Sequence, residues 1–476
     1  MTQLEEVKQL VSAKKDTAIE LAEKIWGYAE LSYTEFKSAA ALTEALRAEG
    51  FEITEGIAEI PTAFMAVYKV GTGYPRMGFL AEYDALDGLS QEASLPEKKP
   101  VVEGGCGHGC GHNLFAGGSF AAAAAVKDYL VSHNKNGTVV LFGTPAEEGA
   151  GSKQFIARAG YFDDIDFVYT WHPGTFNEVQ STGSVAIMGA NFIFDGVASH
   201  AGGAPHLGRS ALDACELMNV GCNYLREHMI DQARVHYAYS DAGGTAPNVV
   251  QDHAVIKYEV RAPKVFQMQE LFTRVVDIAK GAALMTGTHM HYDITMAFSD
   301  YVPNKVLSRV MSECLEELGA PEWTDEDYEL AHRFLYTYSR ATLKNIHDEL
   351  LEERFDGDLP ALEKVLQKPL DSTTHPYDPK AFRYETGSTD VGDVGYATPT
   401  TQLNTACCCI GSVAHSWQWT AFTGSDIGMK GMMKAAEVMA LATIRTMDDE
   451  ELIQAAKAEL KQKNGGSYEC PLPETV

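Results

Sequence analysis

Apolar residues recur at helical spacing through the first fifty positions: Leu4, Val7, Leu10 and Val11, then Ile19, Leu21, Ile25 and Trp26, later Leu42 and Leu46. Pro61 and the glycines Gly71 and Gly73 then bracket strand-like sequence. Three short runs that follow, 77–81, 138–143 and 167–171, are apolar without alternation, and helix-like segments at 117–130 and 152–159 lie between them. Buried strands alternating with helices predict an α/β fold, with a parallel sheet covered by helices on both faces. Ligands bind such sheets beyond the carboxyl ends of the strands. Here the first run leads into Glu82-Tyr83-Asp84, the second into Pro145-Ala146-Glu147-Glu148 and the third into His172.

The texture changes between about 191 and 300. Alternating strands at 191–197, 254–261 and 289–296 flank two amphipathic helices, 210–230 and 265–285. This pattern predicts an inserted α+β domain over 190–301, interrupting a first domain made of 1–189 and 302–476. Residues 330–386 read as a charged, mostly helical peripheral insertion, and the polar segment after Gly465 as a loose terminus. No stretch reaches the ~18 apolar residues of a spanning helix. The most apolar one, 115–130, is largely Ala and Gly and carries Lys127 and Asp128.

Composition narrows the partners. With 38 Lys plus Arg against 66 Asp plus Glu, the 476-residue chain has a net charge of −28, which disfavours nucleic acid and anionic membrane. The opening MTQLEEVKQL has neither a basic nor an apolar leader region. Nine cysteines, three of them consecutive at Cys407, Cys408 and Cys409, suit a reducing compartment, so a cytoplasmic location is expected.

Cys106-Gly-His108-Gly-Cys110-Gly-His112 alternates metal-ligand side chains with glycine, which lets the backbone bend closely round an ion. A self-contained structural zinc site is the alternative, although these i, i+2 spacings are tighter than CxxC-type pairs. Glu147-Glu148 at a strand end suits one metal ligand and one general base, or simply an acidic helix start. His172 and His415, each taken alone, read more readily as ordinary core histidines than as ligands. Their joint placement at one sheet edge favours chemistry.

Taken in order, Asp84 in Glu-Tyr-Asp-Ala-Leu, Cys110-Gly-His112-Asn113, Glu147-Glu148, Trp171-His172-Pro173, His200-Ala-Gly-Gly-Ala-Pro205 and His415 resemble the two-metal aminoacylase/carboxypeptidase family of metallopeptidases. Further matches lie at 107–113, 205–214, 247–251 and 388–394, and the similarity weakens at 325–385. The resemblance implies a metal-binding α/β domain and an inserted dimerisation domain. It implies two divalent ions, manganese or zinc, on Cys110, His112, Glu148, His172 and His415. Glu147 is implied as general base, with His200 and Asp84 as further catalytic residues, and Asn248 and Arg261 as substrate-carboxylate ligands. Where relatives carry a third imidazole after Cys-Gly-His, this chain has Phe115, and Cys106 and His108 fall outside the matched motif.

The activity implied is hydrolysis of the amide bond of an N-aroyl or N-acyl amino acid, p-aminobenzoyl-glutamate foremost, by a homodimer or a heterodimer of homologous chains. Rival expectations are a dipeptidase or carboxypeptidase of the same family, a non-catalytic partner subunit, and a zinc-binding scaffold without turnover.

Overall fold

The computed structural model describes residues 1–473, so the end of the expected loose terminus, 474–476, lies outside the described residues. Strands in chain order are β1 (Glu52–Glu55), β2 (Phe64–Val70), β3 (Arg76–Ala81), β4 (Gly137–Gly143), β5 (Phe167–Gly174), β6 (Glu178–Val179), β7 (Gly183–Ser184), β8 (Ala186–Asp195), β9 (Arg234–Asp241), β10 (His253–Ala262), β11 (His289–Phe298), β12 (Tyr384–Glu385) and β13 (Thr400–Ala406). They fall into two compact units. The first comprises Met1–Ser181, Pro303–Phe382 and Val394–Tyr468; the second comprises Thr182–Val302, Arg383–Asp393 and the segment beginning at Glu469.

The first unit is built on a seven-stranded sheet of order β1-β2-β4-β3-β5-β13-β6. The sheet is mixed rather than wholly parallel: β4, β3, β5 and β13 run parallel, while β1, β2 and β6 add antiparallel edges. Ala81 pairs with Gly143, and Ala406 with Gly174, so the carboxyl ends of the four parallel strands share one edge. Helix His112–Ser132 is buried on nearly all sides, which explains its Ala and Gly content. A Cβ at Gly118 would lie 2.8 Å from the Trp171 ring, and one at Gly117 2.6 Å from Met432 Sδ. Contrary to expectation, this helix is long and apolar enough to cross a membrane, but 89% of its most apolar window is buried inside the protein.

The second unit holds an antiparallel sheet of order β11-β8-β10-β9. Ala190, Phe192 and Phe194 of β8 and Ala254, Ile256, Tyr258 and Val260 of β10 are buried, and helices Ala211–Leu225 and Val265–Thr286 pack against those two strands. Strand β8 starts before the predicted 191 because 186–190 is buried throughout, and it ends at Asp195 because the chain turns at Gly196 to pair with Asp252 and Arg209. Strand β9 escaped the sequence reading because only Val235 of it is buried. The 330–386 insertion is peripheral only in part. No residue of helix Arg340–Glu353 is buried, yet Phe334, Leu335 and Leu370 pack with Cys408, Cys409, Trp419 and Phe422.

Candidate metal centre

Beyond the carboxyl edge of the first sheet, Cys110 and His112 emerge from a glycine turn in which Gly111 has φ 89°. The turn hands His112 to the start of a helix, which fixes its ring. Its Nδ1 lies 2.8 Å from Asp84 Oδ1, and Asp84 Oδ2 also accepts from Ser32 Oγ (3.2 Å) and the Glu148 N–H (2.9 Å). Burial opposes the charged form, yet His112 and the Glu148 N–H hold the Asp84 carboxyl below the usual range. Nδ1–H therefore points at Asp84, which leaves Nε2, 3.1 Å from Glu82 Oε2, as the His112 nitrogen available to an ion. Asp84 thus touches both His112 and the Glu147-Glu148 turn.

His172, at the end of β5, repeats this logic. Its Nδ1 sits 2.8 Å from Pro173 O, while Nε2 is 3.4 Å from Cys110 Sγ. Burial and the neighbouring His112 lower its pKa to about 4, so the ring is a neutral donor. Glu148 Oε1 lies 3.3 Å from His415 Nε2. His415, at φ 55°, is tied by its N–H to Gly109 O, 2.9 Å away. The donor atoms of Cys110, His112 and His172 lie within 4.8 Å of one another, as do those of Cys110, Glu148 and His415. Cys110 is common to both groups. Glu147, with Glu82 and His112, forms a third group of the same kind.

The donor set fits a divalent metal. His112 Nε2 and Glu148 Oε1 are buried without a well-aligned hydrogen bond, their nearest polar neighbours being Glu82 Oε2 at 3.1 Å and His415 Nε2 at 3.3 Å, and a cation among these groups would satisfy both. Burial, then the Glu148 charge, push the Cys110 thiol well up, so it ligates as thiolate only beside a positive ion. Sulfur, imidazole and carboxylate together suit a borderline ion. Cys106 and His108 stand outside both groups: Cys106 Sγ faces Asp87 Oδ1 at 3.9 Å, and buried His108 places Nε2 3.0 Å from Ile25 O.

Three buried residues were given no role by the sequence reading. Lys153 is fully buried and pairs with Glu82 at 2.7 Å, while the other Glu82 oxygen lies 3.1 Å from His112 Nε2. Glu82 shared its strand end with Asp84, a usable signal; a single Lys in a helical segment offers none. Glu35 accepts from the Ala146 N–H (2.8 Å) and from Thr62 Oγ1 (3.1 Å). Ala146 sits at φ 63°, a left-handed conformation uncommon outside glycine, immediately before Glu147. Glu35 thus fastens the turn that presents both carboxylates.

Burial, then the Asp84 charge, raise the Glu35 pKa to about 7. Since the folded value exceeds the unfolded one, folded protein binds the extra proton between about pH 4.5 and 7, and stability falls across that window. Glu35→Gln keeps an acceptor for Ala146 and removes the titration. In metal-free protein, its stability relative to wild type should rise through that window by an amount on the order of a few kcal/mol and level off above it. Urea unfolding at pH 5, 6, 7 and 8 checks this; a constant difference would refute it.

In the second unit His200 is exposed, and its Nδ1 accepts the N–H groups of Gly202 (3.1 Å) and Gly203 (2.9 Å). Its neutral tautomer therefore carries the proton on Nε2. Asn248 O accepts the Ala201 N–H at 2.9 Å, tying the two loops together. Arg261 on β10 reaches Thr386 O (3.3 Å) and Ser388 Oγ (3.4 Å), with Glu259 at 3.4 Å, and its Nε is buried without a partner.

Residues 78–473 match peptidase family M20/M25/M40. The chain is 38% identical over 471 residues to one of the subunits of p-aminobenzoyl-glutamate hydrolase from Escherichia coli (strain K12), covering 99% of this chain and 97% of that one. It is 32% identical over 342 residues to Xaa-Arg dipeptidase of Mus musculus, covering 68% and 74%. Among solved structures, a dinuclear metal-binding peptidase of the M20 family from Bacillus subtilis superposes with TM-score 0.56 at 15% identity, covering 92% of this chain and 99% of that one; the likeness is one of fold.

Proposed function

Since this chain belongs to peptidase family M20/M25/M40 and is a hydrolase of amide bonds, we propose that it cleaves an N-aroyl or N-acyl amino acid, p-aminobenzoyl-glutamate foremost. The observation that carries the reading is a pair of donor groups sharing Cys110, with Glu147 beside them. Cys110, His112 and His172 would hold one divalent ion, and Cys110, Glu148 and His415 a second, zinc or manganese. Ions bound there supply Lewis-acid polarisation of the scissile carbonyl and a nucleophilic water at neutral pH.

The remaining work falls to side chains. Glu147 accepts a proton from the attacking water and returns it to the departing amine nitrogen, so one carboxylate serves both halves of the reaction. His200 donates its Nε2–H to the carbonyl oxygen as charge develops there. Asn248 and Arg261 hold the substrate carboxylate; the unpartnered Arg261 Nε and the planar guanidinium suit that task.

The dipeptidase reading draws on the 32% identical relative, and the non-catalytic reading on a 38% identical relative that is itself one chain of a multi-chain hydrolase. Complete donor groups and Glu147 speak against a silent partner. A panel of N-aroyl and N-acyl amino acids and ordinary dipeptides, compared by kcat/KM, tests the substrate class. The aryl amide should rank first; a preference for dipeptides would overturn the assignment. We place the protein in the cytoplasm, which the buried thiols Cys407, Cys408 and Cys409 support.

We also assign the assembly as a dimer, of identical or homologous chains, in which His200 completes the neighbour's site. In a homodimer, His200→Ala and Glu147→Gln should each be inactive alone, yet regain activity when mixed under subunit exchange, up to about half of the heterodimer's sites. Verified exchange with no recovery would exclude the shared site.

A further inference from the structure

A second set of metal-binding side chains lies in the other unit, on the sheet face turned away from its helices. Asp195 ends β8, and the antiparallel register places it directly opposite both His253 of β10 and His289 of β11. Residues opposite one another in a sheet project from the same face, and His291, two positions beyond His289, projects there too. Three adjacent strands thus gather three imidazoles round one carboxylate. All four side chains lie outside the buried helix-facing rows; His253, His289 and His291 are exposed.

The distances show how the group divides. Asp195 Oδ1 is 2.9 Å from His253 Nδ1, which orients the carboxylate. Asp195 Oδ2 is turned toward His291 Nδ1, 3.6 Å away. Donor atoms of Asp195, His289 and His291 all lie within 4.8 Å of one another. A tetrahedral shell of ~2.0–2.1 Å bonds spaces its ligand atoms about 3.3 Å apart, so small side-chain rotations close the set. Two imidazoles on one rigid strand, at i and i+2, leave little to organise when an ion binds.

We propose that Asp195, His289 and His291 bind a borderline divalent cation, zinc foremost, with a fourth position open to water and His253 as the positioning residue for the carboxylate. Two nitrogens and one oxygen suit zinc rather than magnesium or calcium, which take oxygen shells. The ion would clip the edge strand β11 to β8 and stabilise this unit by mass action. It has no part in the amide chemistry.

The test compares zinc content in wild type and in the double variant His289→Ala/His291→Ala, with His289→Gln/His291→Gln as a second variant should the first fold poorly. The holoprotein is equilibrated with zinc alone and its zinc per chain measured by atomic emission. The variants should hold one zinc fewer per chain, lose the zinc-dependent rise in Tm contributed by this unit, and keep wild-type turnover. His253→Ala should bind at the same site about 10–100-fold more weakly. Equal zinc content in wild type and variants would overturn the proposal.

Discussion

Glu147→Gln should lower kcat by roughly 10³–10⁴-fold while leaving the metal content of the protein unchanged. The amide has the shape of the carboxylate and can still accept hydrogen bonds, but it cannot take up the proton of the attacking water. Glu147 lies within 4.8 Å of His112 and Glu82, yet it belongs to neither of the two groups that share Cys110. Removing its charge should therefore spare ion binding. The check is single-turnover kinetics on protein of measured metal content. Substantial residual turnover would remove the general base, and a matching loss of metal would turn Glu147 into a ligand.

The second large effect concerns Cys110. Cys110→Ser removes the one donor common to both groups and replaces a thiolate by a neutral hydroxyl, so both ions should bind far more weakly and activity should fall with them. The loss should exceed the roughly 10–100-fold in affinity that follows removal of an outer hydrogen-bonding partner. Cys106→Ser is the internal control. Its sulfur faces Asp87 and stands outside both groups, so that variant should retain most of its metal and activity. Equal damage from the two substitutions would mean that the Cys-Gly-His units cannot be told apart by this geometry. His172→Ala should resemble Cys110→Ser in direction but affect one group only.

Much of this centre was legible in the sequence because strand ends in α/β sheets are where side chains meet ligands. The apolar runs marked β3, β4 and β5, and the polar residues immediately beyond each run proved to share an edge. His415 was harder: it stands nine residues past the end of β13, and its company at one sheet edge and the resemblance, rather than its own surroundings, singled it out. Glu35 was illegible: it precedes a helix far upstream, and only the folded chain brings it to Ala146. Lys153 was illegible for a related reason, since a Lys on a short helix reads as solvated until its burial beside Glu82 is seen. In the second unit, strand alternation announced β8, β10 and β11, though not that their ends would bring Asp195 and three histidines together. Register, which the pattern of one strand cannot supply, decides that.

This chain, by itself and loaded with divalent metal, should hydrolyse an N-acyl amino acid. The most direct measurement strips the purified chain of metal, restores manganese or zinc in steps, and follows release of p-aminobenzoate from p-aminobenzoyl-glutamate. The expected result is no turnover in chelator and activity that grows with occupancy, reaching its maximum near two ions per chain at the Cys110 centre. Full occupancy of that centre with no hydrolysis of this or any other N-acyl amino acid would contradict it.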